Sequence, residues 1–172
     1  DISENNKWNI TFIDTGLETL KGARIKRIEK YVKTENFHLT YGDGLSDVDL
    51  NKLVKFHIDH KKIATVTAVR PPSRFGEMTI NSDNVVNDFE EKSQMNTGFI
   101  NGGFFVLNKS IMDHLDTDPM CDFEFGPMQE LAKNKKLMAF RHDGFWQCMD
   151  NVRERDFLNS LVTKNKAPWI KW

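Results

Sequence analysis

In 172 residues, of which 39% are hydrophobic and 28% charged, the chain has enough apolar surface for one globular domain with a sizeable core. Twenty-four Lys and Arg stand against 25 Asp and Glu for a net charge of −1, so no overall field draws nucleic acid or an anionic membrane, and any phosphate site has to be local. Two cysteines, Cys121 and Cys148, are too few for a disulfide framework and lack zinc-site spacing, which predicts a reducing cytoplasm. No apolar run approaches the roughly 20 residues that cross a bilayer, and the opening Asp1 to Lys7 has no signal-peptide core. The first residue is Asp1 rather than methionine, and a fragment or processed piece is expected.

In chain order, Trp8-Asn9-Ile10-Thr11-Phe12-Ile13 alternates and reads as a short strand entering the turn Asp14-Thr15-Gly16. Ile25, Ile28 and Val32 fall at helical spacing over 23–32. Phe37-His38-Leu39-Thr40-Tyr41 reads as a buried strand running into Gly42-Asp43-Gly44. Leu50, Leu53, Val54 and Ile58 then predict a helix capped by Ser46 or Asp47, and Ile63 to Val69 a largely apolar strand. Such a strand, helix, strand unit favours a parallel sheet, with ligands outside the C-terminal strand ends, where Asp43 would sit. Shorter strands follow near 76–80, 85–90 and 99–107, as an antiparallel insertion or edge. Helices are expected near 110–115 and 127–133, a strand near 137–141, and a last helix from about Asn151 to Val162. With no repeat or linker, a single domain over 1–172 is the economical reading.

Four segments could carry chemistry. Asp43, at a strand end beside flexible glycines, could hold Mg²⁺ against a polyphosphate, and it suits a plain turn about equally. In Glu90-Glu91-Lys92 a carboxylate could accept two sugar hydroxyls while the lysine neutralises a phosphate, although a solvated charge cluster is the more ordinary role. The paired glycines of Ile100-Asn101-Gly102-Gly103-Phe104-Phe105 mark a β-bulge or a close approach to ligand, with Asn101 able to bond a sugar hydroxyl. Asp150, after the aromatic stretch Gly144 to Met149, could be a second metal ligand or a helix cap. His57 and His60, three apart on a helix, have no evident third ligand and suit a helix surface. Asp47-Val48-Asp49 has the acid-x-acid pattern of many metal-dependent glycosyltransferases, but capping suits it better. The two cysteines lack an evident base and read as ordinary thiols.

The order and spacing of these pieces resemble the sugar-nucleotide pyrophosphorylases, in their cytidylyltransferase branch. The likeness runs nearly end to end through Asp14-Thr15-Gly16, Gly22-Ala23-Arg24, Tyr41-Gly42-Asp43-Gly44, Pro71-Pro72-Ser73-Arg74-Phe75-Gly76, Glu91-Lys92, Asn101-Gly102-Gly103, Gly144-Phe145-Trp146-Gln147 and Ala167-Pro168-Trp169. It implies an α/β, Rossmann-like, mixed and mostly parallel sheet flanked by helices and truncated at its N-terminus, since the family's glycine-rich phosphate loop is not found. It further implies transfer of a cytidylyl group from CTP to glucose 1-phosphate by a homo-oligomer, giving CDP-glucose and pyrophosphate. On the same ground Asp43 and Asp150 hold Mg²⁺ and, with Lys92, form the catalytic set. Glu91 binds glucose hydroxyls, Lys92 the sugar phosphate, Asn101 and Gly102 shape the pocket, and Thr19, Arg24 and Gly42 face the nucleotide. Ser93 and Cys148 stand where the family has proline, and Gly126 where it has glutamate. A noncatalytic sugar-phosphate-binding or assembly module, and a glycosyltransferase using Asp47 and Asp49, are the rival readings.

Overall fold

The computed structural model describes residues 9–71, 76–91 and 98–171, with backbone alone for 76–79 and 88–91. Its centre is a four-stranded sheet of β1 (Asn36–Thr40), β6 (Ile100–Asn108), β3 (Ala64–Val69) and β7 (Leu137–His142), in that spatial order. β3 and β7 pair in parallel, while β6 runs antiparallel to both its neighbours. Three of the four strands therefore share a direction, as expected for a mixed, mostly parallel sheet. The strand, helix, strand unit of β1, α2 (Leu50–His60) and β3 does run parallel, but β6 is inserted between its strands. β4 (Gly76–Ile80) and β5 (Val86–Glu91) pair as an antiparallel hairpin, as expected of an insertion, but the third strand expected there, 99–107, is β6 and lies inside the central sheet, paired on both edges.

β3 shows why the sheet is covered on both faces. Five of its six residues are buried, with Ala64 and Val66 packing into a cluster that holds Ile25, Phe105, Leu107, Ile111, Met112, Phe123 and Leu131. Phe105 and Leu107 come from the neighbouring strand β6, and the other partners from α1 (Lys21–Arg27), the 3₁₀ turn Lys109–His114, the segment around Phe123 and α3 (Gln129–Lys133). Thr65 lies on the opposite face, where α2 covers it with fully buried Leu53 and His57. Phe56 of α2 meets Phe140 of β7 edge-on at 5.6 Å.

The His57–His60 pair belongs to this face rather than to a metal. His57 is 2% exposed, which corrects the expectation of a surface position. Asn36 Oδ1 accepts from His57 Nε2 at 3.1 Å and from Asn108 Nδ2 at 3.2 Å, so His57 carries its proton on Nε2. Thr65 must then donate to His57 Nδ1 at 2.8 Å and accept from His60 Nε2 at 2.7 Å, while His60 Nδ1 accepts the Lys62 N–H at 2.9 Å. Every direction in the chain is set by neutral imidazoles. Burial accordingly pushes the His57 pKa down to about 4, with His60 and His38 adding to it.

Three local expectations change. Residues 9–13 form no strand, with Phe12 93% exposed, because among the described residues no strand pairs with them; Trp8 lies outside the described residues. α1 begins two residues early and stops at Arg27, passing into a 3₁₀ turn over Glu29–Tyr31. The cap of α2 is neither Ser46 nor Asp47 but Asp49, whose side chain accepts the Lys52 N–H at 3.0 Å. Ser46 instead ends β2 (Gly44–Ser46), a short strand the sequence does not advertise, paired antiparallel with β8 (Trp146–Cys148). The last helix, α4 (Val152–Thr163), is capped by Asn151. No helix among the described residues is long and apolar enough to cross a membrane.

Candidate active site

The β2–β8 ribbon decides where the two aspartates go. Gly44 pairs with Cys148, and beyond that register Asp43 C=O accepts the Met149 N–H at 2.8 Å. Asp43 and Asp150 thus leave the same end of one ribbon, from chain positions more than a hundred residues apart, and both are exposed. Carboxylate oxygens of this kind suit a hard cation such as Mg²⁺, which uses one or two carboxylates and keeps several waters. The Asp150 N–H binds Glu154 Oε2 at 2.8 Å, and Cys148 Sγ lies within 4.8 Å of a carboxylate oxygen of Asp150 and of Glu154, so this side of the ribbon is tied to the first turn of α4.

Trp146 joins that ribbon to the glycine pair by donating from its indole N–H to Gly102 C=O at 2.8 Å. The pairing of β3 with β6 slips between Val66 and Ala68, opposite Asn101 to Phe105, and this is the bulge the paired glycines predicted. Gly102 is buried with no space for a side chain: a Cβ would lie 2.9 Å from both Thr67 C=O and Val69 Cγ1. Gly103 has φ +76°, and a Cβ there would approach the Tyr41 ring within 3.2 Å. Asn101 is exposed at the start of β6, its Oδ1 accepting the Gly103 N–H at 2.9 Å.

A polar relay not foreseen from sequence borders the bulge. The half-buried Tyr41 phenol donates to the Glu124 carboxylate and accepts from Asn101 Nδ2 at 3.4 Å. Lys21 also binds Glu124 and stands 4.8 Å over the Tyr41 ring. Burial, and after it the Glu124 hydrogen bond, push the Tyr41 phenol well above its ordinary range. Asp122 anchors this stretch by accepting the N–H groups of Glu124 at 2.7 Å and Phe125 at 2.8 Å, and these bonds hold its carboxyl below the usual range.

The remaining expected residues divide. Gly42 is exposed beside Asp43, with nothing within 4 Å of where a Cβ would stand. Arg24 and Thr19 are occupied in shaping a loop. Arg24 donates to Thr19 C=O at 2.6 Å, Thr15 Oγ1 at 2.9 Å and Leu17 C=O at 2.9 Å, and Thr19 Oγ1 accepts from Arg27 at 2.8 Å. Asp47 Oδ1 stands 2.9 Å from His142 Nε2 and Asp49 caps α2, so the acid-x-acid pair holds local structure. Glu91 ends β5, opposite Gly76, while its side chain, with Lys92, Ser93 and Pro72 to Phe75, lies outside the described residues.

Asp43, Asp150 and the glycine bulge thus gather at one end of the mixed sheet. Residues 4–148 match the nucleotidyl transferase family. The chain belongs to that family. A glucose-1-phosphate cytidylyltransferase of Salmonella typhimurium is 46% identical over 166 residues, covering 96% of this chain and 64% of its own length. A probable glucose-1-phosphate cytidylyltransferase of Bacillus subtilis is 37% identical over 99% of this chain and 66% of its own. The chain thus spans somewhat less than two thirds of these relatives. Among solved structures, a putative glucose-1-phosphate thymidylyltransferase of Bacillus anthracis superposes with a TM-score of 0.60 at 16% identity, over 90% of this chain and 63% of its own. HddC of Yersinia pseudotuberculosis does so with 0.56 at 24%, over 80% and 60%. These structural likenesses establish that the nucleotidyl transferase chain has the fold of that group.

Proposed function

We propose that the protein to which this chain belongs transfers a cytidylyl group from CTP to glucose 1-phosphate, releasing pyrophosphate and CDP-glucose. The observation that carries this reading is the β2–β8 ribbon, which delivers Asp43 and Asp150 to one end and ties them through Trp146 to the Gly102 bulge. The cytidylyltransferase names of the relatives supply the choice of substrates.

In this reading Asp43 and Asp150 hold Mg²⁺, which when bound supplies charge neutralisation for the triphosphate. The chain's own residues bind and orient. Asn101 donates to a sugar oxygen, and the exposed backbone at Gly42 leaves room for the nucleotide. Glu91 takes sugar hydroxyls and Lys92 the sugar phosphate. A phosphate oxygen of glucose 1-phosphate attacks the α-phosphorus of CTP in line as the bond to pyrophosphate breaks, with no covalent protein intermediate. Self-association and a cytoplasmic setting complete the proposal.

Incubation with CTP, glucose 1-phosphate and Mg²⁺ should yield CDP-glucose and pyrophosphate one for one. Calorimetry should show glucose 1-phosphate binding that weakens in Asp43→Asn. Binding of glucose 1-phosphate with no turnover would favour a noncatalytic sugar-phosphate module, and binding of neither substrate would end the reading.

A further inference from the structure

We propose that Glu124 is a positioning residue whose carboxylate, acting through Tyr41, fixes Asn101 as a hydrogen-bond donor toward an oxygen of the bound sugar phosphate; the ligand half of this rests on the substrate reading above. The argument follows proton by proton. A carboxylate only accepts, so the Tyr41 hydroxyl must give its single proton to Glu124. Its oxygen is then left to accept, and Asn101 Nδ2 is the group it faces. At the other end of the amide, the Gly103 N–H can only donate, so Asn101 Oδ1 is turned to it at 2.9 Å. Both constraints select the same amide orientation, with the acceptor turned inward. One Nδ2–H goes to Tyr41, and the other is what exposed Asn101 has left to offer outward.

Glu124 is itself held in place from three sides. Buried Phe123 precedes it, Asp122 holds its backbone N–H, and Lys21 from the first residue of α1 neutralises it. The relay therefore links α1, the end of β1, the 122–125 segment and the bulge of β6. Tyr41 lies two residues before Asp43, which places the relay beside the turn proposed to hold the metal. Nothing in the assigned roles of Asp43, Asp150, Glu91 or Lys92 requires Glu124.

The test uses the amide signals of Asn101 in nitrogen-15 NMR spectra of the chain, identified by their loss in Asn101→Ala, together with calorimetry for glucose 1-phosphate. Glu124→Ala should move the Asn101 side-chain signals and weaken glucose 1-phosphate about tenfold, the worth of one ligand hydrogen bond. Glu124→Gln keeps an acceptor oxygen for Tyr41 and should restore both readouts while losing the ion pair with Lys21, an outcome that a merely structural ion pair would not give. Unmoved Asn101 signals in Glu124→Ala would overturn the inference, as would moved signals with unchanged affinity. If the wild-type chain binds no glucose 1-phosphate, the substrate reading fails, and the amide signals still decide whether Glu124 orients Asn101.

Discussion

Replacing Gly102 by alanine would put a methyl carbon 2.9 Å from the Thr67 carbonyl oxygen, 2.9 Å from Val69 Cγ1 and 3.3 Å from Val69 Cγ2. Carbon pairs prefer about 3.5–4.0 Å, so the overlap with Val69 exceeds half an ångström. Neither obstacle can swing aside: the Thr67 carbonyl is backbone of a fully buried residue in β3, and Val69 is 1% exposed in the same strand, between β6 and β7. The bulge must shift instead, carrying with it the carbonyl that receives Trp146. Overpacking of this kind costs about 1–3 kcal/mol, and the two rigid contacts place Gly102→Ala toward the upper end. At about 2–4 °C per kcal/mol for a chain of this size, melting should fall by about 4–10 °C. Gly42→Ala is the internal control, since its Cβ meets nothing and the residue has no positive φ. It should leave melting unchanged, and a loss of CTP binding in that variant would then report a nucleotide against Gly42. Denaturant titration of the two variants side by side is the assay. A Gly102→Ala chain within 0.5 kcal/mol of wild type would refute the account of the bulge as sterically fixed.

Acid should loosen the α2 face. An unfolded His57 takes up its proton near pH 6.5, whereas the folded one resists until about 4. Below 6.5 the unfolded chain binds more protons, so this contribution is complete above 6.5 and drains away as pH falls toward 4, about 2–3 kcal/mol in all. Urea titrations across that window should show the slope, and a flat profile would contradict the neutral network. Phe123→Ala should cost about 3–5 kcal/mol in the same titration, since the ring is fully buried edge-on to Phe105 at 5.4 Å. Arg24→Lys keeps the charge but cannot reach three acceptors at once, so limited proteolysis should cut the 15–19 loop faster. Unchanged cleavage would show that the guanidinium does not hold that loop.

Much of this was legible in the residues. Helical spacing located α2, short runs separated by polar turns located β4 and β5, and the glycine pair after Asn101 announced the bulge because two such residues inside an apolar strand weaken it without a geometric reason. Asp43 at a strand end and Asp150 before a helix were both readable as local features. That they leave the same end of one ribbon was not, because it depends on β2, three residues long and half-buried throughout, with no periodicity to detect. The insertion of β6 between β1 and β3 was hidden for the same kind of reason: strand order is fixed by pairing across the whole chain. Residues 9–13 show the converse, an alternating run that stays irregular because alternation supplies a face but no partner. His57 looked like surface because histidine usually is, and only the geometry of Thr65 and Asn36 shows how its two nitrogens are satisfied. The Glu124–Tyr41 contact joins residues 83 apart and left no local signature.

The claim that most needs testing is that Asp43 and Asp150 serve one ion. Calorimetric titration of Mn²⁺, as a stand-in for Mg²⁺, into the wild-type chain, Asp43→Asn, Asp150→Asn and the double variant addresses it directly. If one ion is shared, each single variant should lose most of the affinity and the double variant should lose little more, because groups acting on one ligand are not additive. Losses that simply add would mean that the two carboxylates act separately and would contradict the account of the site.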